Sequence, residues 1–423
     1  MKVYCIGIGG IGLSAVAKIL SHQGHEVSGS DSSKASLEKN LSGSGIHTFS
    51  SQVAENITTD LELIIYSEAV SEDNPERVRA TELGIKQMNY AHALAMVSEG
   101  RRLIAITGTH GKTTVTGMLS SVLIDANLDP TIVIGSTMDK LNNQNFRLGS
   151  SEWFLAEACE YRENFLPLNP EIVLINNLEP DHIDYFKTDE NYYAAYQKLI
   201  EKIPAHGWLI LFKEDSNYLD LSKVKGKVMQ LAKEECRKEI YTLKVPGNHN
   251  QQNAYAVSKV AEKCGVPMKL IQHGLKDFKG TWRRFEYKGE VNGAKIYDDY
   301  GHHPTEIVAT IQAAREWYPD KHLTVVFQPH QYSRTHAFFE EFSHSFDEAS
   351  DVWITDIYSA RDTQDDLDAT SSEKLVSSIN NIESRYIPFD QLPVEIRKHA
   401  DPYHVYLVMG AGSIGTIFDQ LFD

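Results

Sequence analysis

Short apolar runs, each closed by a turn and followed by a helical pattern, recur along the whole chain. This alternation limits the fold more than any other feature of the sequence. Val3–Ile8 reads as a buried strand, followed by a glycine turn and a helix over Leu13 to His22. A second strand runs from Glu26 to Ser30 and ends at Asp31, and a strand Leu61–Tyr66 and a helix Pro75–Leu83 follow. Such a β-α-β succession predicts a parallel sheet with helices on its faces. The pattern closes near residue 95 and begins again with the strand Leu103–Thr107 and the helix Lys112–Ala126. It continues through strands Thr131–Ile134, Trp153–Ala156 and Ile172–Asn176, then helices near Glu190–Lys202 and His249–Cys264, and ends around Lys279. A third round alternates strands (Lys295–Asp298, Leu323–Phe327, Val352–Ile357, Val405–Met409) with helices near Thr305–Trp317, Ala337–Glu348 and Ser371–Ile379. A chain of 423 residues is too long for one ordinary core. The expected architecture is therefore three successive α/β domains, at residues 1–95, 96–280 and 281–423.

Charge and cysteine content narrow the function. With 41 basic and 58 acidic residues the net charge is −17, which argues against a general nucleic-acid binder. An anionic ligand has to be caught locally, by helix N-termini and a few placed Lys or Arg. Cys5, Cys159, Cys236 and Cys264 form no CxxC pair, so neither a zinc site nor a disulfide framework is expected, and a reducing cytoplasm fits. The N-terminal apolar run is cut by Gly7, Gly9, Gly10 and Gly12, unlike a signal peptide. No apolar stretch approaches the length of a membrane span, so no membrane insertion is expected.

The strongest local signal is Thr107-Gly108-Thr109-His110-Gly111-Lys112-Thr113-Thr114, between an apolar strand and a helix. Glycines let backbone N–H groups close around phosphates, and the helix start favours anions. Lys112 would reach the β- and γ-phosphates of a bound nucleotide, and the Thr113 hydroxyl would bind Mg²⁺. The spacing departs from the standard loop, because Ile106 stands where its first glycine is expected. Phosphoryl transfer also needs metal ligands. Glu157 follows the strand Trp153–Ala156, and His182 lies in Asn177-Leu178-Glu179-Pro180-Asp181-His182-Ile183-Asp184, just past another strand; these two are candidate ligands for a pair of metal ions.

Gly7-Ile8-Gly9-Gly10-Ile11-Gly12, with Asp31 ending the next strand, matches the dinucleotide fingerprint and by itself supports an NAD-dependent oxidoreductase. However, Gly410-Ala411-Gly412-Ser413-Ile414-Gly415 has the same pattern near the C-terminus. The motif therefore signals a diphosphate or a tight turn at a helix start without naming the nucleotide. A UDP-sugar would use the same cradle.

These motifs occur in one order with Glu157-Ala158-Cys159-Glu160-Tyr161, Gly247-Asn248-His249-Asn250-Gln251-Gln252-Asn253, Arg283-Arg284-Phe285, Asp298-Asp299-Tyr300-Gly301-His302-His303-Pro304-Thr305-Glu306, Phe327-Gln328-Pro329-His330 and Ser333-Arg334-Thr335. The set resembles the Mur ligases over nearly the whole chain, and the string Asp298–Glu306 resembles their alanine-adding branch. The resemblance implies a Rossmann-like N-terminal domain for a UDP-sugar, a P-loop ATPase-like centre for ATP and Mg²⁺, and a Rossmann-like C-terminal domain that closes over both. It implies an amide bond made between the carboxylate of UDP-N-acetylmuramate and L-alanine through an acyl phosphate, in a monomer or homodimer. On this reading Gly9, Gly10, Ile11, Gly12, Asp31 and Ser67 hold the UDP-sugar. Gly108 to Thr114, Asn250, Asn253, Arg284 and Asp299 hold ATP, and Thr113, Glu157 and His182 hold metal. Tyr300, His302, His330 and Arg334 serve the amino-acid end, and Lys112, Glu157, His182, His302 and Arg334 act in catalysis.

The sequence departs from the family at a few places. Gln331 stands where many relatives have Arg, and Ser51-Gln52 where many have Gly-His. Gln197, with Lys198 beside it, stands where some Mur ligases carry a carbamoylated lysine, so that modification is not expected. The nearest rival reading is the recycling ligase that attaches a whole tripeptide to the same sugar nucleotide. A silent ATP-binding regulator is a further alternative.

Overall fold

The computed structural model describes residues 1–360 and 362–422 and contains three sheets. The first has strand order His47–Phe49, Glu26–Ser30, Lys2–Ile6, Leu63–Tyr66, Lys86–Asn89, all parallel. The second runs Lys227–Leu231, Trp208–Phe212, Ile172–Ile175, Arg102–Thr107, Trp153–Glu157, Thr131–Met138, Gln144–Arg147. Its only antiparallel pair is the closing hairpin of the last two strands. The third runs Glu286–Val291, Ala294–Asp299, His404–Met409, His322–Phe327, Asp351–Ile354, Glu383–Tyr386, and is antiparallel only at its first pair.

Central strands such as Ile172–Ile175 and Leu103–Ile106 are buried on both faces, which is why they read as unbroken apolar runs. Each such side chain removed from water stabilises by roughly 1.5–3 kcal/mol. The chain forms two compact units, Met1–Glu239 with Ala254–Asp277, and Ile240–Asn253 with Phe278–Asp423. The first two sheets lie in the first unit, and one hydrophobic cluster runs through both of them, from Val3 to Leu219. Polar ties reinforce that continuity. On helix Ile11–His22, Lys18 Nζ donates to Gln144 Oε1 at 2.7 Å, and the buried Asn145 amide donates to the Ile11 carbonyl.

Two expectations change in detail. The helix expected over Ala337–Glu348 is two short ones, Tyr332–Ala337 and Phe339–His344, because Phe338 leaves helical geometry at φ −110° and ψ 29°. The second glycine motif leads into a 3₁₀ turn, Ser413–Thr416, which runs directly into the short helix Ile417–Phe422. No described helix is long and apolar enough to cross a membrane.

Candidate active site

The first glycine loop joins strand Lys2–Ile6 to helix Ile11–His22, whose N-cap Gly10 makes no side-chain cap. The first N–H groups of that helix thus lack a capping side chain, as an anion site requires. Gly7 and Ile8 donate to the Ser30 carbonyl at 2.8 and 3.0 Å, and Gly9 donates to Asp31 Oδ2 at 2.9 Å. Asp31 also accepts from Ser33 N–H at 2.8 Å, so this carboxylate shapes the loop. A side chain on Gly12 would lie 2.7 Å from the Tyr90 ring. Ser67 follows the neighbouring strand and packs against Gly7.

The central loop sits between strand Arg102–Thr107 and helix Lys112–Asp125. Gly108 and Gly111 have φ of 128° and 77°, values that only glycine adopts readily. The loop is braced by the end of the adjacent strand. Thr109 N–H donates to the Asn177 carbonyl at 3.2 Å and His110 N–H to Asn177 Oδ1 at 2.8 Å. The Asn176 and Asn177 amides donate to the His110 carbonyl at 3.0 and 2.9 Å, and His110 Nε2 lies 3.0 Å from Glu179 Oε2. Thr114 is half-buried in the first helical turn.

Lys112 Nζ donates to the carbonyls of Gly108 and Thr109 at 2.6 and 3.0 Å and to Glu160 Oε1 at 2.9 Å. Burial pulls its ammonium down, but Glu160 and Cys159 outweigh burial and hold it above its usual value. Glu160 is 1 % exposed. Burial pushes its carboxyl up, yet Lys112 and His182 more than reverse this, so it stays ionised. Thr113 Oγ1 donates to Glu157 Oε1 at 2.8 Å, and Glu157 Oε2 accepts from Gly135 N–H at 2.8 Å. His182 adopts a left-handed backbone (φ 55°, ψ 47°) and presents Nε2 at 3.4 Å from Glu160 Oε1.

These donors fit a hard cation. A hydroxyl and a carboxylate oxygen stand side by side at Thr113 and Glu157, while Glu160 Oε2 and His182 Nδ1 are buried without a protein hydrogen-bond partner. The structure thus brings Lys112, Thr113, Glu157 and His182 together. It adds Glu160, Asn176, Asn177 and Glu179, to which the sequence reading assigned no role. A strand ending in two asparagines that faces a phosphate loop is the signal that could have found two of them.

The loop carrying His182 also rests on Asp215, which accepts from Leu178 N–H at 3.1 Å and whose carboxyl burial raises to about 6. Its folded value lies above the ordinary one, so the folded chain binds the extra proton. That share of stability is present below about pH 4 and lost as pH rises through about 6. Asp215→Asn should therefore flatten the fall in melting temperature between pH 4.5 and 7. An unchanged slope would remove Asp215 from the account.

In the second compact unit, Asn250 and Asn253 are buried in the first turns of helix Asn248–Lys263, joined at 3.2 Å, with Asn250 also donating to the Pro246 carbonyl. Asp299 is buried and accepts N–H groups of Phe285 and Gly301 at 2.8 and 2.7 Å. Burial raises its carboxyl above the usual value. The Arg284 guanidinium lies 5.2 Å over the Tyr300 ring and pairs with Glu306 at 3.7 Å. Tyr300 meets His302 at 5.6 Å between rings, His302 meets His330 at 5.9 Å, and Arg334 Nη1 lies 3.3 Å from His330 Nδ1. The four residues assigned to the amino-acid end therefore form one chain of contacts.

Several quoted residues are instead structural. His303 and Glu306 form a capping box on helix Pro304–Trp317. Gln331 turns its amide to the Ala360 carbonyl at 2.8 Å, so the departure at this position leaves it bracing a loop. Gln52 accepts from the Asn74 amide at 2.9 Å, and Gln197 accepts from Asp220 N–H at 2.8 Å. The second glycine motif is filled by protein. Arg283 Nη2 donates to the Gly410 carbonyl at 2.6 Å, and Gln328 Oε1 accepts from Ile414 N–H at 2.8 Å.

This loop, its acidic partners and the sheets that carry them define a nucleotide-dependent ligase of a known class, and the chain belongs to the Mur ligase family. Three family models match it: "Mur ligase family, catalytic domain" over residues 2–102, "Mur ligase middle domain" over 106–238, and "Mur ligase, glutamate ligase domain" over 283–412. Among curated proteins, it is 39 % identical to the UDP-N-acetylmuramate–L-alanine ligase of Clostridium kluyveri, covering 98 % of this chain and 96 % of that one. It is 38 % identical to the ligase of the same name from Clostridium novyi, covering 100 % and 97 %. Among solved structures, the UDP-N-acetylmuramate–alanine ligase of Thermotoga maritima superposes with a TM-score of 0.83 at 27 % identity, covering 100 % of this chain and 98 % of that one. A murein peptide ligase from Psychrobacter arcticus shares the fold, with a TM-score of 0.73 at 21 % identity, covering 100 % and 98 %.

Proposed function

We propose that this chain joins L-alanine to the carboxylate of UDP-N-acetylmuramate with consumption of ATP, an early step in building peptidoglycan precursors. The observation that carries this reading is the 39 % identity, over 98 % of the chain, to a ligase named for that reaction. The Asp298–Glu306 string and the Tyr300–His302–His330–Arg334 contacts support it. We assign residues 1–95 to the UDP-sugar, 96–280 to ATP and 281–423 to the amino acid. The reaction belongs in the cytoplasm.

A carboxylate is a poor electrophile, so the γ-phosphate must first be moved onto it to create a leaving group. Both partners are anions. Lys112 and N–H groups of the loop Gly108 to Thr114, other than those of Thr109 and His110 that Asn177 accepts, would stabilise the charge that gathers between them. Thr113, Glu157 and His182 would hold Mg²⁺, which supplies further neutralisation of the phosphate oxygens. Glu160 keeps Lys112 charged and aimed. Asn250, Asn253, Arg284 and Asp299 would bind the remainder of the nucleotide. The alanine amine then attacks the acyl phosphate and phosphate departs. Arg334 and His302 would hold the alanine carboxylate or the developing oxyanion.

A coupled phosphate assay tests the reading. Release should require ATP, Mg²⁺, UDP-N-acetylmuramate and L-alanine together, with glycine, serine and the tripeptide supporting much less. Faster release with the tripeptide than with alanine would replace this reading with the recycling ligase. A shift in melting temperature with NAD larger than with UDP-N-acetylmuramate would favour the oxidoreductase.

A further inference from the structure

The cradle proposed for the UDP-sugar has a charge problem. Its helix start offers N–H groups, but the carboxylates of Asp31 and Glu68 adjoin it, and the nearby Arg77 guanidinium is engaged by the Val70 carbonyl and the Tyr66 ring. A diphosphate brought there meets two carboxylates in a chain of net charge −17. A guanidinium pairs strongly with phosphate oxygens and would offset that repulsion.

One guanidinium reaches this rim from the other sheet. Arg162 Nη1 lies 3.5 Å from Glu68 Oε2, and Glu68 directly follows Ser67, which packs against Gly7. Arg162 is 46 % exposed, so an incoming anion can reach its head. Its backbone is unusual. Arg162 and Glu163 have φ of 53° and 57°, two successive side-chain-bearing residues in the left-handed region. Such residues are strained and persist where the surroundings demand it. The turn follows directly on Glu157–Glu160, and Tyr161 between them packs its ring 4.8 Å from His182. A second tie points the same way, because Tyr90, which lies on Gly12, feels the charge of Glu157. The segment from Glu157 to Glu163 therefore borders the first glycine loop.

We propose that Arg162 is the cation that holds the diphosphate of the sugar nucleotide, resting on Glu68 until that anion arrives. The inference depends on the UDP-sugar reading of the first loop. Glu68 is then a competitor for the guanidinium, so the two partners should have opposite effects when changed. A simple stabilising ion pair would give both changes the same effect.

The probes are UDP, UMP and UDP-N-acetylmuramate, titrated by calorimetry into the full chain. Arg162→Ala should weaken UDP about 10- to 100-fold, the range of one or two charge-assisted hydrogen bonds. It should weaken UMP about twofold or less, reduce the salt dependence of UDP binding, and leave ATP affinity unchanged. Arg162→Lys should recover part of the loss. Glu68→Gln should leave UDP binding equal or tighter. Equal weakening by Arg162→Ala and Glu68→Gln, for UMP as well as UDP, would reduce the pair to a structural contact. Weakening of UDP-N-acetylmuramate but not of UDP would move the guanidinium to the sugar's carboxylate and overturn the assignment. A wild-type chain that binds UDP alongside an Arg162→Ala variant that binds it equally well overturns this inference alone. A wild-type chain that binds no UDP overturns the parent reading, and this one with it.

Discussion

Lys112→Ala is expected to lower turnover by about a thousandfold, the scale of losing one preorganised charge at a developing anion, while UDP-sugar affinity stays within about twofold. The substitution also has a structural effect. Lys112 is the cation that pairs with Glu160, whose carboxylate is 1 % exposed. Removing one partner of a buried pair typically destabilises by about 3–5 kcal/mol. Loss of activity alone is therefore ambiguous. Lys112→Ala with Glu160→Gln separates the two effects, since the amide needs no counter-charge. The double variant should regain most of the melting temperature and none of the turnover. If activity returned together with stability, Lys112 would be a scaffold residue and the phosphate-loop reading would fail. Titration with UDP-N-acetylmuramate then checks that the cradle is intact in both proteins.

Arg283→Ala should strongly destabilise the second compact unit. Arg283 meets both oxygens of Asp298 at 3.1 and 3.0 Å and donates to the Gly410 carbonyl, with the pair 6 % and 2 % exposed. Its removal leaves a buried acid and loosens the turn at Gly410–Gly415, for about 3–5 kcal/mol. In a unit of this size that corresponds to a fall in melting temperature of roughly 6–20 °C. The effect depends on pH. Burial raises the Asp298 carboxyl to about 6 despite Arg283. Below that value the acid is protonated even beside its partner, so the gap between wild type and variant should narrow as pH falls from 7.5 to 5. A gap that widens would mean the ion pair is not what is being lost. Asp298→Asn in the Arg283→Ala background should restore part of the difference.

The parts of the fold that were readable in the sequence share a physical cause. Buried central strands and the helices after them carry strong periodic patterns. Glu26–Ser30 was placed on its own boundaries, and Lys112–Ala126 and Thr305–Trp317 were placed to within one residue at either end. Strands such as His47–Phe49, Lys86–Asn89 and Glu383–Tyr386 lie at sheet edges, are short and half-wet, and look like loop. Trp208–Phe212 is different. It is as apolar as its neighbour and readable by the same rule, yet it falls outside the elements set out from the sequence.

In the site, residues embedded in motifs were legible because the chemistry restricts their spacing. Lys112, Thr113, Glu157 and His182 converge as expected. Glu160 and Asn176 were not legible, since an acid and an amide become informative only once folding aims them at the loop. The two glycine motifs show the limit of pattern alone. They share a spacing, but one has an uncapped helix start, and the other is occupied by Arg283 and Gln328.

The asparagine brace behind the central loop affects how ligands engage it. Asn176 and Asn177 hold His110 from both its N–H and its carbonyl through bonds internal to the chain. Capture of a triphosphate then requires little rearrangement of the main chain, so association should run close to the rate of encounter. The same rigidity favours small competitors: a compact phosphate mimic finds the loop already ordered, and should bind better than its few atoms would suggest.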